Sequence, residues 1–339
     1  MKKLRIAAMG IEHRHIFGQL KGMLDLGCEC KGWWTENENK ISQDFKKKYS
    51  TIPRVFNKSV LLNDPEIDLI LIADIPVKRG SLAVECMNAG KDVMLDKPGC
   101  TTFEQLAEIK KTIEKTKRIF SIDFSERFEV PSVELASKLV KAGEIGDVVQ
   151  TIGLGPHRLN IDTRPKWFFK NDQYGGILCD IASHQIDQFL FFTGSTSVEI
   201  VRSSVGNFAN PSHSEFEDFG EILIHGDKGQ GYIRVDWYTP DALPNWGDGR
   251  LIILGTEGYI ELRKYVDVAG RDGIDHLFLV NKKKCEYIDA SKEPLTYFGN
   301  LMDDVLNRTE TAMKQSHCLK VMKLAIEAQT SAKRLGNLR

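Results

Sequence analysis

The stretch LRIAAMGIEHRHIFGQLKGML, residues 4–24, decides how the chain is read. Its first part, LRIAAM (4–9), is a short apolar run that ends at Gly10, as a buried strand does. Its last part carries Ile16, Leu20, Met23 and Leu24 at helical spacing. Between them lies a turn in the place of the G-x-G-x-x-G loop of a strand–helix phosphate cradle, with Gly10, Glu12 and His15 at the three glycine positions. The second glycine normally lets backbone approach a pyrophosphate, and Glu12 puts a negative side chain there. Amides that open a helix attract phosphate whatever surrounds them, and His13, Arg14 and His15 add donors. The turn is therefore expected to cradle a phosphate group by helix amides more than by glycines.

The alternation continues outward from this unit. CECKGWW (28–34) reads as a second strand and ENKISQDFKKKY (38–49) as a helix with Ile41, Phe45 and Tyr49 on one face. IDLILIAD (67–74) is a near-continuous apolar run, as expected of a strand covered on both faces. SLAVECMNAGK (81–91) reads as a helix stopped by Gly90, and DVMLD (92–96) as the next strand. TTFEQLAEIKKTIEK (101–115) opens on a threonine cap, with Glu early and Lys late, and RIFSIDF (118–124) closes the series. Repeated strand–helix units imply right-handed crossovers and a doubly wound parallel sheet.

The rhythm changes near residue 125. PSVELASKLVKAGEIG (131–146) is a helix with proline at its start and Gly143 past its end. GGILCDIASHQIDQFLFFTG (175–194) reads as one more helix. Beyond it strands dominate. EDFGEILIHGDKGQGYIRVDWY (217–238) alternates as a hairpin, with Ile222, Ile224, Ile233, Val235 and Trp237 on one face, and RLIILGTEGYIELRK (250–264) looks like another. The tail, 297–335, returns to helix. The division expected is a Rossmann-type α/β domain over 1–125 and an α+β domain with a largely antiparallel open sheet over 126–339.

With 339 residues the chain is too long for one ordinary core, 42% hydrophobic and 27% charged residues describe a soluble globular protein, and a formal net charge of −1 speaks against a nucleic-acid partner. The opening MKKLRIAAMG is too short an apolar run for a signal peptide, and no segment approaches a membrane span. Seven cysteines without paired metal spacing fit a reducing compartment, so a cytoplasmic location is expected.

Ligands of open parallel sheets sit at the carboxyl ends of the strands, where Gly10, Asp74, Asp96–Pro98 and Asp123 fall. At the end of the second strand, Glu36 suits ribose hydroxyls, which favours NAD, whereas Thr35 leaves room for a phosphate, so the preference between NAD and NADP stays open. The His13-x-His15 pair raises the question of a metal, but no third ligand is near it in sequence, and no metal is assigned. Lys97, directly after a buried strand and before Pro98, can hydrogen-bond a hydroxyl or carbonyl if other groups converge there. Asp180 and His184, four apart, share a helix face, where the carboxylate can orient an imidazole suited to accept a proton. Asp187 flanks that face, and the Gly175–Gly176 entrance is expected to give a ligand close access to the helix.

Together NDPEIDLILIA, MNAGKDVMLDKPGCTTFEQL, ERFEVPSVELASKLVKAGEIGDVV and GGILCDIASHQIDQFLFFTG resemble the Gfo/Idh/MocA family of NAD(P)-dependent oxidoreductases, in the family's order and over most of 4–195. DKP (96–98) resembles the family's E-K-P and DIASH (180–184) its D-x-x-x-H. The resemblance implies that Lys97 orients a substrate hydroxyl, His184 takes its proton, Asp180 binds and positions the substrate, and Pro98 shapes the nicotinamide pocket. His157, Arg164 and Trp167, in GPHRLNIDTRPKWFF (155–169), are added as candidates for the substrate pocket. Two departures touch cofactor binding: the altered loop at Gly10, and PVKRG (76–80) where the family has P-N-x-x-H.

The expected activity is reversible oxidation of a secondary alcohol of a sugar, inositol or similar polyol, with NAD or NADP, by a dimer or tetramer. A variant of it uses bound NAD for a transient oxidation that enables elimination or glycoside cleavage. The alternatives are a non-catalytic cofactor or ligand sensor on the same scaffold, and, third, a metal-dependent hydrolase using His13, His15 and Asp180.

Overall fold

The computed structural model describes residues 3–336. The chain forms two compact units: residues up to Asp123 joined by Thr296–Lys323, and Phe124–Leu295 joined by the chain from Leu324 onward.

In the first unit strands and helices alternate as β1 (Arg5–Ile11), α1 (Ile16–Asp25), β2 (Glu29–Trp34), α2 (Lys40–Lys48), α3 (Ser59–Leu62), β3 (Leu69–Ala73), α4 (Pro76–Asn88), β4 (Asp92–Asp96), α5 (Phe103–Thr116) and β5 (Phe120–Asp123). The five strands pair in parallel in the order β2-β1-β3-β4-β5. All of β3 and β4 is buried, which is why their sequences are apolar without alternation. Asn39 and Ser42 form a reciprocal cap on α2, and the Thr102 side chain accepts from the Gln105 amide at 3.2 Å, a cap worth about 1 kcal/mol. Two boundaries differ from the sequence reading. β1 runs past Gly10 to Ile11, because Gly10 takes φ +70° and lets the strand resume pairing with Ala73 after a register shift. α4 starts at Pro76, not Ser81, since proline suits the first turn of a helix.

The second unit begins with α6 (Ser125–Phe128), α7 (Pro131–Lys141) and β6 (Val148–Pro156). Two single-turn 3₁₀ helices (Ile161–Thr163, Lys166–Phe169), α8 (Asn171–Tyr174), α9 (Ile177–Asp180) and α10 (Ala182–Thr193) follow. Then come β7 (Val198–Gly206), β8 (Phe219–Gly226), β9 (Gly229–Asp236), β10 (Arg250–Gly255), β11 (Gly258–Arg263), β12 (His276–Asn281) and β13 (Cys285–Asp289). The nine-stranded sheet has the order β13-β12-β11-β10-β6-β9-β8-β7-β14, where β14 is Lys333–Arg334. It is antiparallel except at β6–β9 and β7–β14. Both hairpins read from the sequence are present, and Ile222, Ile224, Ile233, Val235 and Trp237 are all buried. Leu251, Ile253, Ile260, Leu262, Leu277 and Leu279 pack with Val133 and Ala136 of α7 in one core.

Two further expectations change. The stretch 175–194 is not one helix: the Ser183 hydroxyl donates to the Asp180 carbonyl at 2.8 Å and the His184 amide to Ile181 at 3.1 Å, which tightens the turn and separates α9 from α10. The tail does not stay wholly with 126–295. α11 (Tyr297–Asn307) and the first half of α12 (Gln315–Thr330) belong to the first unit. The Tyr297 hydroxyl lies 2.8 Å from that of Ser121, Gln315 Oε1 accepts from the Phe120 amide at 2.9 Å, and Arg308 pairs with Asp92. No helix among the described residues is long and apolar enough to cross a membrane.

Candidate functional site

In the first unit the strand order reverses between β1 and β3, so a ligand crevice belongs at their carboxyl ends. Gly10 and Asp74 stand there, packed on each other: a Cβ on Gly10 would lie 2.4 Å from that of Asp74. Only glycine fits. The amides of Glu12 and His13 both donate to the Ala73 carbonyl, at 3.1 and 3.0 Å, and the Ile11 amide donates to the buried Thr35 hydroxyl at 3.2 Å. Those of Ile16 and Phe17 donate to the carbonyls of His13 and Arg14. Among the described residues, the Arg14 and His15 amides are the two in this turn without a hydrogen-bond partner. The expected cradle of helix amides is thus narrower than the sequence implied, because the β3 carbonyl takes two of them.

Glu12 is 9% exposed. Its burial, reinforced by the neighbouring Asp74 and opposed by Asn39 and Lys78, pushes its carboxyl up to about 7. A side chain that would repel a pyrophosphate is therefore partly neutral at neutral pH. Burial also raises Asp74, whose carboxylate accepts from the Ile75 amide at 2.7 Å. Glu36 is exposed and paired with Lys78 of α4, whose ammonium holds its carboxyl below the usual range. Arg14 pairs with Asp44 of α2 at 2.8 Å.

At the end of β4 the fully buried Asp96 carboxylate meets three cations or potential cations: Arg79 Nη2 at 2.8 Å, His13 Nδ1 at 2.7 Å and His15 Nδ1 at 2.8 Å. Burial works against ionisation of Asp96, but Arg79, His15 and His13 outweigh it and hold the carboxyl well below its usual range. Burial dominates at His13 and brings it down to about 4 despite Asp96. The ligand atoms of His13, His15 and Asp96 lie within 4.8 Å of one another, so the carboxylate grouped with this histidine pair is Asp96 rather than Asp180. Arg79 already matches the charge of that carboxylate.

Arg79 was not singled out in the sequence. It is 1% exposed, its Nε donates to the Asp74 carbonyl at 2.7 Å, and its Nη1 reaches the carbonyls of Lys97 and Pro98. It ties the ends of β3 and β4 together and holds the backbone under Lys97. The one signal for it was the departure PVKRG itself. Lys97 is 4% exposed and is not a surface lysine.

In the second unit α10 lies across β6 and β9, with Gln185 seated over Gly153 and Gly155. His184, on this helix, is 1% exposed and meets the Phe124 ring edge-on at 6.3 Å. Asp180 is half-buried at the end of α9. Arg164 lies over the rings of Phe168 and Trp237 at 4.6 and 5.0 Å, and its Nε donates to the Leu159 carbonyl at 2.7 Å. Burial lowers its proton affinity and nearby Asp180 opposes this, so Arg164 is not a solvated surface charge. His157 packs between Trp237 and Trp246, 5.2 and 4.6 Å away. Trp167 has a buried Nε1 with no hydrogen-bond partner among the described residues.

Asp187, on the flank of the His184 face, is taken up by Arg127, whose Nε and Nη2 donate to it at 2.6 and 2.8 Å, and one expectation fails here. Gly176 does not open the helix to a ligand, since its missing Cβ is replaced by the Gln329 side chain, which accepts from the Leu178 amide at 2.9 Å. Two residues were missed altogether, Glu126 and Lys264, a buried ion pair at 2.8 Å. They lie 138 residues apart, so no local pattern marks them.

Residues 27–124 match the family described as "Oxidoreductase family, NAD-binding Rossmann fold", and 133–261 match "GFO/IDH/MocA C-terminal domain". The crystal structure of a presumed oxidoreductase from Erwinia carotovora atroseptica SCRI1043 is 44% identical, covers 98% of this chain and 100% of its own, and superposes with a TM-score of 0.95. Two curated relatives come from Bacillus subtilis (strain 168). The scyllo-inositol 2-dehydrogenase (NAD(+)) is 25% identical over 59% of this chain and 56% of its own length. The scyllo-inositol 2-dehydrogenase (NADP(+)) is 24% identical over 64% and 60%. The chain thus spans little more than half the length of the curated relatives it matches. With both domain families matched in order, and a full-length structural relative at 44% identity, the chain belongs to the Gfo/Idh/MocA oxidoreductase family and carries its NAD-binding Rossmann domain.

Proposed function

We propose that the chain is an NAD(P)-dependent oxidoreductase that interconverts a secondary alcohol of a sugar, inositol or similar polyol and its ketone. The observation that carries this reading is His184, a buried imidazole on α10 in the family's D-x-x-x-H position, with Asp180 four residues before it and Arg164 in electrostatic reach of Asp180. His184 accepts the proton of the substrate hydroxyl, Lys97 orients that hydroxyl, and Asp180 binds and positions the substrate. His157, Arg164 and Trp167 supply aromatic surface and donors to a polyol, the unpartnered Trp167 N–H among them.

The residues present fit a dinucleotide in an altered form. The Arg14 and His15 amides are available to a pyrophosphate, the near-neutral Glu12 does not exclude it, and Glu36 with Lys78 faces the ribose end. Pro98, on backbone held by Arg79, shapes the nicotinamide end. Bound NAD(P) supplies the hydride acceptor or donor. The names of the inositol dehydrogenases support the polyol class.

A row of outward side chains crosses the nine-stranded sheet through Leu223, Tyr232, Ile152, Ile252, Glu261, Phe278 and Tyr287, apolar or aromatic except at Glu261, and supports a homo-oligomer. None of the seven cysteines is in a disulfide, which supports a cytoplasmic setting.

The test begins with separate thermal-shift titrations of NAD, NADH, NADP and NADPH. Saturable stabilisation by one pair is expected, about 2.7 kcal/mol at a hundredfold excess over Kd, and it settles the preference between them. A polyol panel follows, in which His184→Ala lowers kcat/KM by about 10²–10⁴-fold. Tight dinucleotide binding without turnover on any polyol would favour the sensor.

A further inference from the structure

The second unit buries a carboxylate and an ammonium that none of the roles above uses. Glu126 is 3% exposed and Lys264 1%. Their charges meet at 2.8 Å, and both are knit to the helix that carries His184. Gln185 Nε2 donates to Glu126 Oε2 at 3.0 Å, and Lys264 Nζ donates to Gln188 Oε1 at 3.1 Å. The other carboxylate oxygen, Glu126 Oε1, is buried with no hydrogen-bond partner among the described residues.

Burying two charges costs several kcal/mol per ion, and a well-packed apolar pair in their place is often at least as stable. Stability alone does not account for the pair. What it does provide is a fixed charge in a buried site, hydrogen-bonded to Gln185, the residue next to His184. The ionisable groups facing Glu126 are Lys264 and Tyr265 from the segment after β11, His184 from α10 and His157 from the end of β6. Arg127, next in sequence, is matched by Asp187, and Asp180 with Arg164 precedes His184. Burial works to raise the Glu126 carboxyl, but Lys264, then His184 and His157, outweigh it and bring it down to about 2. Glu126 is thus a carboxylate throughout the working pH range, and its field acts on the imidazole.

We propose that Glu126 and Lys264 are a positioning pair that sets how tightly His184 holds a proton, the carboxylate favouring the imidazolium and the ammonium opposing it. The proposal rests on the reading of His184 as the proton acceptor of the reaction, but its test does not need turnover. The His184 ring is followed by NMR in the full-length protein labelled with ¹⁵N-histidine, its signal identified by loss in His184→Gln.

Glu126→Gln leaves Lys264 unopposed, and the midpoint of the His184 titration falls by about one pH unit. Lys264→Met leaves Glu126 unopposed, and the midpoint rises by a similar amount. The double variant, which keeps neither charge and relieves any misfolding caused by a lone buried ion, returns close to the original midpoint. Shifts of opposite sign that cancel are the signature of charge. A purely structural pair moves the melting temperature and leaves the midpoint in place, or moves it the same way in both variants, and either result overturns the proposal. If the shifts appear but no polyol is turned over, the charge coupling stands and the assignment of His184 as base falls. If His184→Ala abolishes turnover while Glu126→Gln leaves the titration unmoved, the base stands and this proposal falls.

Discussion

Glu12 shows what one substitution in a glycine-rich turn does. At the second glycine position it adds a carboxyl that the fold buries beside Asp74 and lifts to about 7. A carboxyl with a raised folded-state pKa contributes fully below its unfolded value, near 4.5, and that contribution is lost as pH rises through about 7. Glu12→Gln is therefore expected to leave stability unchanged near pH 4 and to increase it at pH 8. After allowance for the solvent that reaches the loop, the gain is on the order of 1–2 kcal/mol. Urea unfolding at the two pH values checks it, and an equal difference at both would contradict it. The same charge opposes a pyrophosphate, so dinucleotide affinity should weaken above pH 7 in the parent protein and less so in Glu12→Gln.

At the scale of elements, the ends of β3 and β4 are joined by a single guanidinium. Arg79 bonds the carbonyls that follow both strands and shares the Asp96 carboxylate with two imidazoles of the first turn. Removing the charge of Asp96 strands a buried arginine, so Asp96→Asn should cost about 3–5 kcal/mol. Arg79→Met/Asp96→Asn should lose less than the sum of the single changes, because neither ion is then left alone. Denaturant titration of the four proteins reads this coupling, and strict additivity would mean that the two residues act separately. The five strands of the first unit, the two hairpins and the longer helices were legible from periodicity, whereas β6, β7, β12 and β13 were not. Nor was the break between α9 and α10, because it consists of a single tightened turn in which the His184 amide bonds the Ile181 carbonyl, and the apolar pattern runs through it unchanged.

At the scale of the molecule, the outer face of the nine-stranded sheet leaves Leu223 38% exposed and Leu254 40% exposed, while Ile222, Ile224, Ile233, Leu251 and Ile253 of the inner face are buried. Apolar rows of this kind mark contact surfaces. Leu223→Asp/Leu254→Asp should convert an oligomer to monomer in light scattering and leave the melting of each chain within about 1 kcal/mol of the parent, as for other surface changes. A parent protein that is already a monomer, or an unchanged mass in the variant, would contradict the proposed contact.

The sequence by itself determined the strand–helix alternation, the parallel pairing of the first sheet, the hairpins of the second and the place of Gly10 at the end of the first strand. These follow from apolar periodicity and turn chemistry, which act over a few residues. Only the tertiary structure decided which charges meet. Arg79 with Asp96, Glu126 with Lys264 and Arg127 with Asp187 join residues separated by other elements, and their ionisation is set by burial that exists only after packing. The same holds for 296–323, whose apolar helices carry no mark of the core they complete. Tyr297, Arg308 and Gln315 find Ser121, Asp92 and Phe120 only when the sheet is assembled.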